Sequence, residues 1–153
     1  MNAKRIVAIA LLIAVAGVGV YLIVRQKFTS EEAQIRKLMA QVEKNFESQK
    51  LKKCLAVASE DYSDNIGHDT KADLKDSLRL LFQTSRSVSV KLQDIEIEVR
   101  GNEADVALTA TARAENVLLG DVSLHRLVGY TRFVVTARKE RGRWKVLRAE
   151  GLD

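Results

Sequence analysis

The 153-residue sequence has no proline, one cysteine and two histidines. Without proline there is no proline-rich linker and no cis-proline turn. The single cysteine, Cys54, forms no disulfide within the chain and supports no cysteine-based zinc site. His68 and His125 stand too far apart for the helical two-histidine pattern of zinc proteases. Neither a metal nor another cofactor is expected. Disorder and fibrous repeats are excluded too, because 46% of the residues are hydrophobic and 29% are charged. The length suits one ordinary domain, and the formal net charge is +5.

What the sequence does have is one long apolar run. Ile6 to Val24 reads IVAIALLIAVAGVGVYLIV, 19 residues without a charge. A helix of that length reaches roughly 28 Å, close to the hydrocarbon thickness of a bilayer. Lys4 and Arg5 precede it and Arg25 and Lys27 follow it, so the charge bias that orients membrane helices is weak. A short tail before the run and a long domain after it favour a cytoplasmic N-terminus. The run exceeds the core of a cleaved signal peptide, usually about 7–15 residues. No small-x-small cleavage site follows Val24. The expected division is a tail over 1–5, a transmembrane helix over 6–24, a link over 25–29 and a domain over 30–153. The expected location is a bacterial-type inner membrane, crossed once, with the domain on the periplasmic or extracellular side.

Within the domain, Thr29 and Glu32 have capping-box spacing, which predicts a helix start at Thr29. Ile35, Leu38, Met39, Val42 and Phe46 follow as one apolar stripe. Leu51, Cys54, Leu55 and Ala58 predict a shorter second helix. Residues 59–69 read as a polar loop. A third helix begins at Asp69 or Thr70, with Leu74, Leu78, Leu81 and Phe82 as its stripe. The period then changes to two. Val88, Val90 and Leu92 alternate with polar residues, and Ile95, Ile97 and Val99 do so in the opposite phase. The extra residue at Gln93–Asp94 predicts a β-bulge. Gly101–Asn102 marks a turn, Ala104 to Ala112 a half-buried strand, and 115–125 a loop or edge segment. A long strand is predicted from about Leu127 to Lys139, and a last one from Trp144 to Ala149. The class is α+β: three helices, then four antiparallel strands whose bulges curve the sheet around the helices.

That order has two further signatures. Ser59-Glu60-Asp61-Tyr62 follows the second helix, and Gly142-Arg143-Trp144-Lys145-Val146 lies in the final hairpin. Over about residues 30–150 the chain resembles the nuclear transport factor 2-like superfamily, which includes SnoaL-like polyketide cyclases and ketosteroid isomerase. The resemblance implies a cone-shaped, cystatin-like fold in which a curved sheet and the first helices enclose a pocket. It implies no particular chemistry, because this fold serves enzymes, binding modules and scaffolds alike. Enzymes of the superfamily place polar residues inside the cone. Here the stripe of the first helix carries no Tyr or Asp, the face of Val106, Leu108, Ala110 and Ala112 is apolar, and Asp105 is on the other face. No catalytic set carries over residue by residue.

Residues 61–69 are rich in oxygen ligands. A calcium loop starting at Asp61 would have Ile66 where glycine is needed and Ala72 where an acid is needed, so a solvated turn is expected. Tyr62 and His68 flank that segment, and histidine suits a general base near neutral pH. These two are the catalytic candidates. Phe82, Tyr130 and Trp144 are candidates to line a pocket for an apolar ligand, against the plainer role of sheet core or dimer contact. Cys54 reads as a buried, inert thiol. From Arg126 to Arg148 there are eight Lys or Arg and one acid, Glu140. This stretch reads as a solvated face or a contact with anionic headgroups. Nucleic acid is not expected, since no aromatic-interleaved basic motif accompanies the charges.

Two functions follow. The first is a membrane-anchored, non-enzymatic module that binds a protein partner, a second copy or a small apolar ligand, as a scaffold of an envelope complex would. Its architecture is similar to that of type IV secretion assembly factors. The second is a SnoaL-like or isomerase-type enzyme acting on a hydrophobic carbonyl compound. The first is favoured because the interior reads as too poor in proton-handling groups.

Overall fold

The computed structural model describes the backbone of residues 3–123, 125–126 and 129–152, and the side chains of these except 3, 4, 6 and 24–29. The elements run α1 (Ala3–Glu47), α2 (Leu51–Ala56), β1 (Ala58–Asp64), α3 (Lys71–Thr84), β2 (Ser85–Arg100), β3 (Glu103–Asn116), β4 (Gly120–Ser123), β5 (Arg132–Glu140) and β6 (Arg143–Leu152). They form two compact units, residues 1–33 and 34–153.

The described part of the first unit is helical throughout. Its aliphatic side chains point outward on every side. Val7, Ile9, Leu11, Leu12 and Ile13 cover more than a full turn and are all more than half exposed. The expected transmembrane helix is not found as a span: among the described residues, no helix is long and apolar enough to cross a membrane. Ile6 and Val24, the two ends of the 19-residue run, lie outside the described side chains. The N-terminal residues 1 and 2 of the expected tail lie outside the described residues altogether. The expected link over 25–29 and the helix start at Thr29 are corrected, because the backbone stays helical through both. Arg25 to Phe28 contains neither glycine nor proline, so nothing stops the helix there. A capping spacing starts a helix only where the preceding chain is not already helical.

In the second unit, Ile35, Leu38 and Met39 bring one face of α1 into the core. The helix ends after Glu47, where Gln49 takes a φ of 52° and the Lys50 N–H donates to the Asn45 carbonyl at 3.1 Å. α3 starts as expected. The Thr70 hydroxyl accepts from the Asp73 N–H at 3.2 Å, and the Asp73 carboxylate accepts from the Thr70 N–H at 3.0 Å.

The sheet order is β1-β6-β5-β3-β2, with β4 paired to β3. β1 runs parallel to β6, and the other pairs are antiparallel. The bulge predicted at Gln93–Asp94 is present: the β2–β3 register slips between Gln93 and Glu96, and Asp94 has a φ of 53°. Beside it, the Glu43 carboxylate of α1 accepts from the Leu92 N–H at 2.6 Å, tying the helix to the bend. Ala104, Val106, Phe133 and Trp144 close the core against Ile35 and Met39. The curved mixed sheet on helices makes the expected α+β cone.

Two expectations about strands are corrected. Residues 59–69 are not one loop, because Ala58–Asp64 forms a parallel edge strand. The sheet is therefore mixed and six-stranded. Its edge position leaves β1 half solvated, so Ser, Glu and Asp are tolerated along it and no apolar alternation shows. The long strand begins at Arg132 rather than near Leu127. Leu127 and Val128 lie outside the described residues, and Gly129, with a φ of 79°, precedes the strand.

Gly151 of β6 lies against the Tyr130 ring. A Cβ there would stand 2.4 Å from two Tyr130 ring carbons and 3.0 Å from its Cβ. These atoms sit near the Tyr130 backbone and have little room to move. The Asn65 side chain holds the same glycine, accepting from its N–H at 2.8 Å and donating to its carbonyl at 3.2 Å. Gly151→Ala is expected to destabilise the domain by about 1–3 kcal/mol through overpacking. Urea unfolding followed by the fluorescence of Trp144 measures this, and an unchanged midpoint would remove the steric explanation.

Candidate active site

A cavity of about 320 Å³ lies inside the cone of the second unit. Met39, Phe46, Leu78, Leu108, Phe133 and Val146 make its wall largely apolar. Of the apolar faces expected from the first helix and β3, Met39, Val42 and Phe46 and Leu108, Ala110 and Ala112 line it, while Ile35, Leu38 and Val106 do not. Tyr62, Asp64, His68 and Ser77 bring a polar cluster to its wall, and Arg113 of β3 lines it too.

The backbone explains that meeting. Tyr62 and Asp64 are two apart on β1, so they share a face. The chain then turns tightly. Gly67 has a φ of 124°, which suits glycine, and the Asp64 N–H donates to the His68 carbonyl at 2.8 Å. The turn closes around the Asp64 carboxylate. Oδ1 accepts from the N–H groups of Ile66 at 3.0 Å and His68 at 2.9 Å. Oδ2 accepts from the Tyr62 hydroxyl at 2.8 Å and lies 2.6 Å from His68 Nδ1. On the far side of the ring, His68 Nε2 is 2.9 Å from Ser77 Oγ on α3. The Asp64 side chain is 0% exposed and that of His68 is 17% exposed.

These contacts set the protonation states. Burial pushes the Asp64 carboxyl up, but the hydrogen bonds from His68, Tyr62 and Ile66 outweigh it and hold the group below its ordinary value. A carboxylate only accepts, so the Asp64 contact places a proton on His68 Nδ1; in the neutral ring Nε2 is then the acceptor for the Ser77 hydroxyl. Burial first, and then the negative charge of Asp64, raises the Tyr62 phenol well above its usual range. Tyr62 stays protonated and its hydroxyl is committed to Asp64. Cys54 also lines the cavity, and burial pushes its thiol up to about 11, so it is protonated and inert near neutrality.

Asp64 gives the fold an acid limit. Its carboxyl is held below the ordinary 3.8, so its contribution is complete above that value and is lost as pH falls through the lower folded value. Asp64→Asn is expected to be less stable than the parent at neutral pH. It is also expected to lose less further stability between neutrality and about pH 3. Urea midpoints across that interval give the result, and parallel acid losses in both proteins would argue against it.

The other candidates fall elsewhere. Phe82 packs edge-on to Phe46, with ring centroids 6.0 Å apart. Tyr130 lies on Gly151 and edge-on to Phe133 at 6.4 Å. Trp144 is buried in the core of the sheet. None of the three lines this cavity. Size and amphipathic character did not reveal that Phe82 sits on α3, Tyr130 just before β5 and Trp144 in the sheet core. His125 is exposed and also stands off the cavity. Asp61, read as part of a polar turn, pairs on β1 with Arg138 at 2.7 Å, and Arg138 also holds Glu140 at 2.6 Å. Among the described residues, no cluster of three His, Cys, Asp or Glu is placed to hold a metal ion.

The expectation of an interior poor in proton-handling groups is corrected as well. Sequence reasoning found Tyr62 and His68 but missed Asp64 and Ser77. The available signal was Tyr62-x-Asp64 on a strand, with His68 four residues further on.

No protein-family model matches the sequence, and no curated protein does. Solved structures do match. A candidate scytalone dehydratase from Novosphingobium aromaticivorans aligns with a TM-score of 0.71 at 22% identity, over 82% of this chain and 85% of that one. A candidate dehydratase of the nuclear transport factor 2-like family from Streptomyces avermitilis gives 0.65 at 12% identity, over 82% and 98%. A type 2 hexachlorocyclohexane dehydrochlorinase gives 0.66 at 11% identity, over 81% and 85%. At these identities the likeness shows the fold, which is the nuclear transport factor 2-like cone.

Proposed function

We propose that this chain is a membrane-anchored enzyme that takes a proton from carbon in a small hydrophobic carbonyl compound and eliminates a substituent from the neighbouring carbon. One observation carries the reading. A buried, fully hydrogen-bonded Asp64 carboxylate holds His68 Nδ1 at 2.6 Å, and His68 and the Ser77 that meets its Nε2 both line an apolar cavity. Burying a charge is costly unless it is paired and hydrogen-bonded, and here the pairing also sets an oriented imidazole on the cavity wall. Perturbed titratable groups in a cleft favour chemistry.

The roles follow from the contacts. Substrate displaces the Ser77 hydroxyl from Nε2, and Nε2 takes the proton from the carbon beside the carbonyl. The electron pair forms the double bond as the β-substituent leaves. For a hydroxyl substituent, the imidazolium returns the proton and water departs. Asp64 stabilises the imidazolium and fixes the tautomer. Tyr62 is a positioning residue that orients Asp64. The apolar wall holds the hydrophobic part of the substrate beside the base. The names of the neighbours agree in kind, since dehydratases and dehydrochlorinases both eliminate.

The first unit supplies the location in this reading. A helix with exposed aliphatic side chains on every side needs an apolar surrounding, and a bilayer provides one. We place it in a bacterial-type inner membrane with the cone on the periplasmic or extracellular side.

The test uses small cyclic β-hydroxy ketones in deuterated water, followed by proton NMR. Exchange of the α-proton or formation of the enone, lost in His68→Ala, is the expected result. Saturable ligand binding without exchange or elimination would instead mark the cone as a binding module.

A further inference from the structure

We infer that the same cavity carries an acyl-transfer site, with Ser77 as nucleophile and apolar aryl esters as its substrate class. The inference uses the His68–Asp64 pair of the proposed function but none of its carbon-acid chemistry. Ser77 Oγ is 2.9 Å from His68 Nε2, and His68 Nδ1 is 2.6 Å from Asp64 Oδ2. A hydroxyl donates to a base, and a buried acid orients that base; this is the relation that activates a serine. Ser77 stands at the solvent-exposed rim of the cavity, within reach of an entering carbonyl group. It lies inside α3, so a rigid element holds its hydroxyl in place.

The helix also limits the substrate. The N–H groups around Ser77 are occupied in the α3 ladder and are not available to a developing oxyanion. The leaving group must therefore carry more of the step. A phenolate leaves readily, whereas an alkoxide or an amine does not. The acyl chain lies along the apolar wall, beside Leu78 and Phe46.

The step balances without a further reactant except water. Oγ attacks the carbonyl carbon while its proton passes to Nε2. The bond from carbon to the aryl oxygen breaks, and the phenol leaves with the proton from Nε2. Water then attacks the Ser77 ester and gives a proton to Nε2. The carboxylic acid is released, and the proton returns to Oγ.

The experiment uses the full chain in detergent micelles with p-nitrophenyl butyrate. Acid-quenched samples are expected to show a butyryl group on the peptide that carries Ser77, together with a burst of nitrophenol near one per chain. Ser77→Ala is expected to lose both. Ser77→Cys is expected to keep the acyl group as a hydroxylamine-sensitive thioester. His68→Ala is expected to slow acylation by about a hundredfold or more. Butyryl on His68 or a lysine, or equal release from Ser77→Ala, would overturn the proposal. Elimination is read on ketones that carry no ester, so the failure of either assay leaves the other result standing.

Discussion

His68→Ala and Asp64→Asn are each expected to slow proton abstraction by about 10²–10⁴-fold, or roughly 3–5 kcal/mol of barrier. The two act for different reasons. His68→Ala removes the base. Asp64→Asn keeps the shape but loses the charge that stabilises the imidazolium. An Asn side chain can also donate to Nδ1, which moves the ring proton to Nε2 and leaves no lone pair facing the cavity. Tyr62→Phe removes one of the four hydrogen bonds to the Asp64 carboxylate and should cost less. Both large losses should appear with the apolar cavity intact, so binding of a non-reactive ketone should hardly change. A His68→Ala protein that keeps full turnover would remove His68 as the base. Equal losses of binding and turnover would point to a collapsed pocket instead.

What could be read from the sequence was whatever short-range physics determines. The start of α3, expected at Asp69 or Thr70 and capped by Thr70, and the bulge at Gln93–Asp94 need only neighbouring residues, and both are where the pattern puts them. β1 depends on a distant partner. Its pairing with β6 joins Ala58 to Val146 and Asp64 to Ala149, and nothing within Ser59–Asp64 announces it. That missed strand hid the site. Taken one at a time, Tyr62, Asp64, His68 and Ser77 look like residues of a solvated surface. The pairing gives β1 an inner face, and the turn at Gly67 then brings His68 onto Asp64. Thr29 shows the opposite failure, in which a sound local signal is overridden by a helix that arrives already formed.

Leu12→Asp combined with Val15→Asp is expected to move the protein from the membrane pellet to the soluble fraction. Each carboxylate at the centre of a spanning helix costs about 2.5–3.5 kcal/mol, so the pair costs roughly 5–7 kcal/mol. Partition shifts by more than a thousandfold, enough to be seen after carbonate extraction. The residues suit the test because Leu12 is 70% and Val15 65% exposed, so replacing them disturbs no packing. A parent protein that resists extraction while the double variant does not would support the bilayer as the surrounding of that helix. Two outcomes would count against it. If both proteins are soluble and shortened past residue 24 by intact mass, the run is a leader that is removed. If both are soluble at full length, a protein surface covers the helix and the lipid phase is not its environment. The enzyme reading survives either outcome, because Asp64, His68 and Ser77 all belong to the second unit.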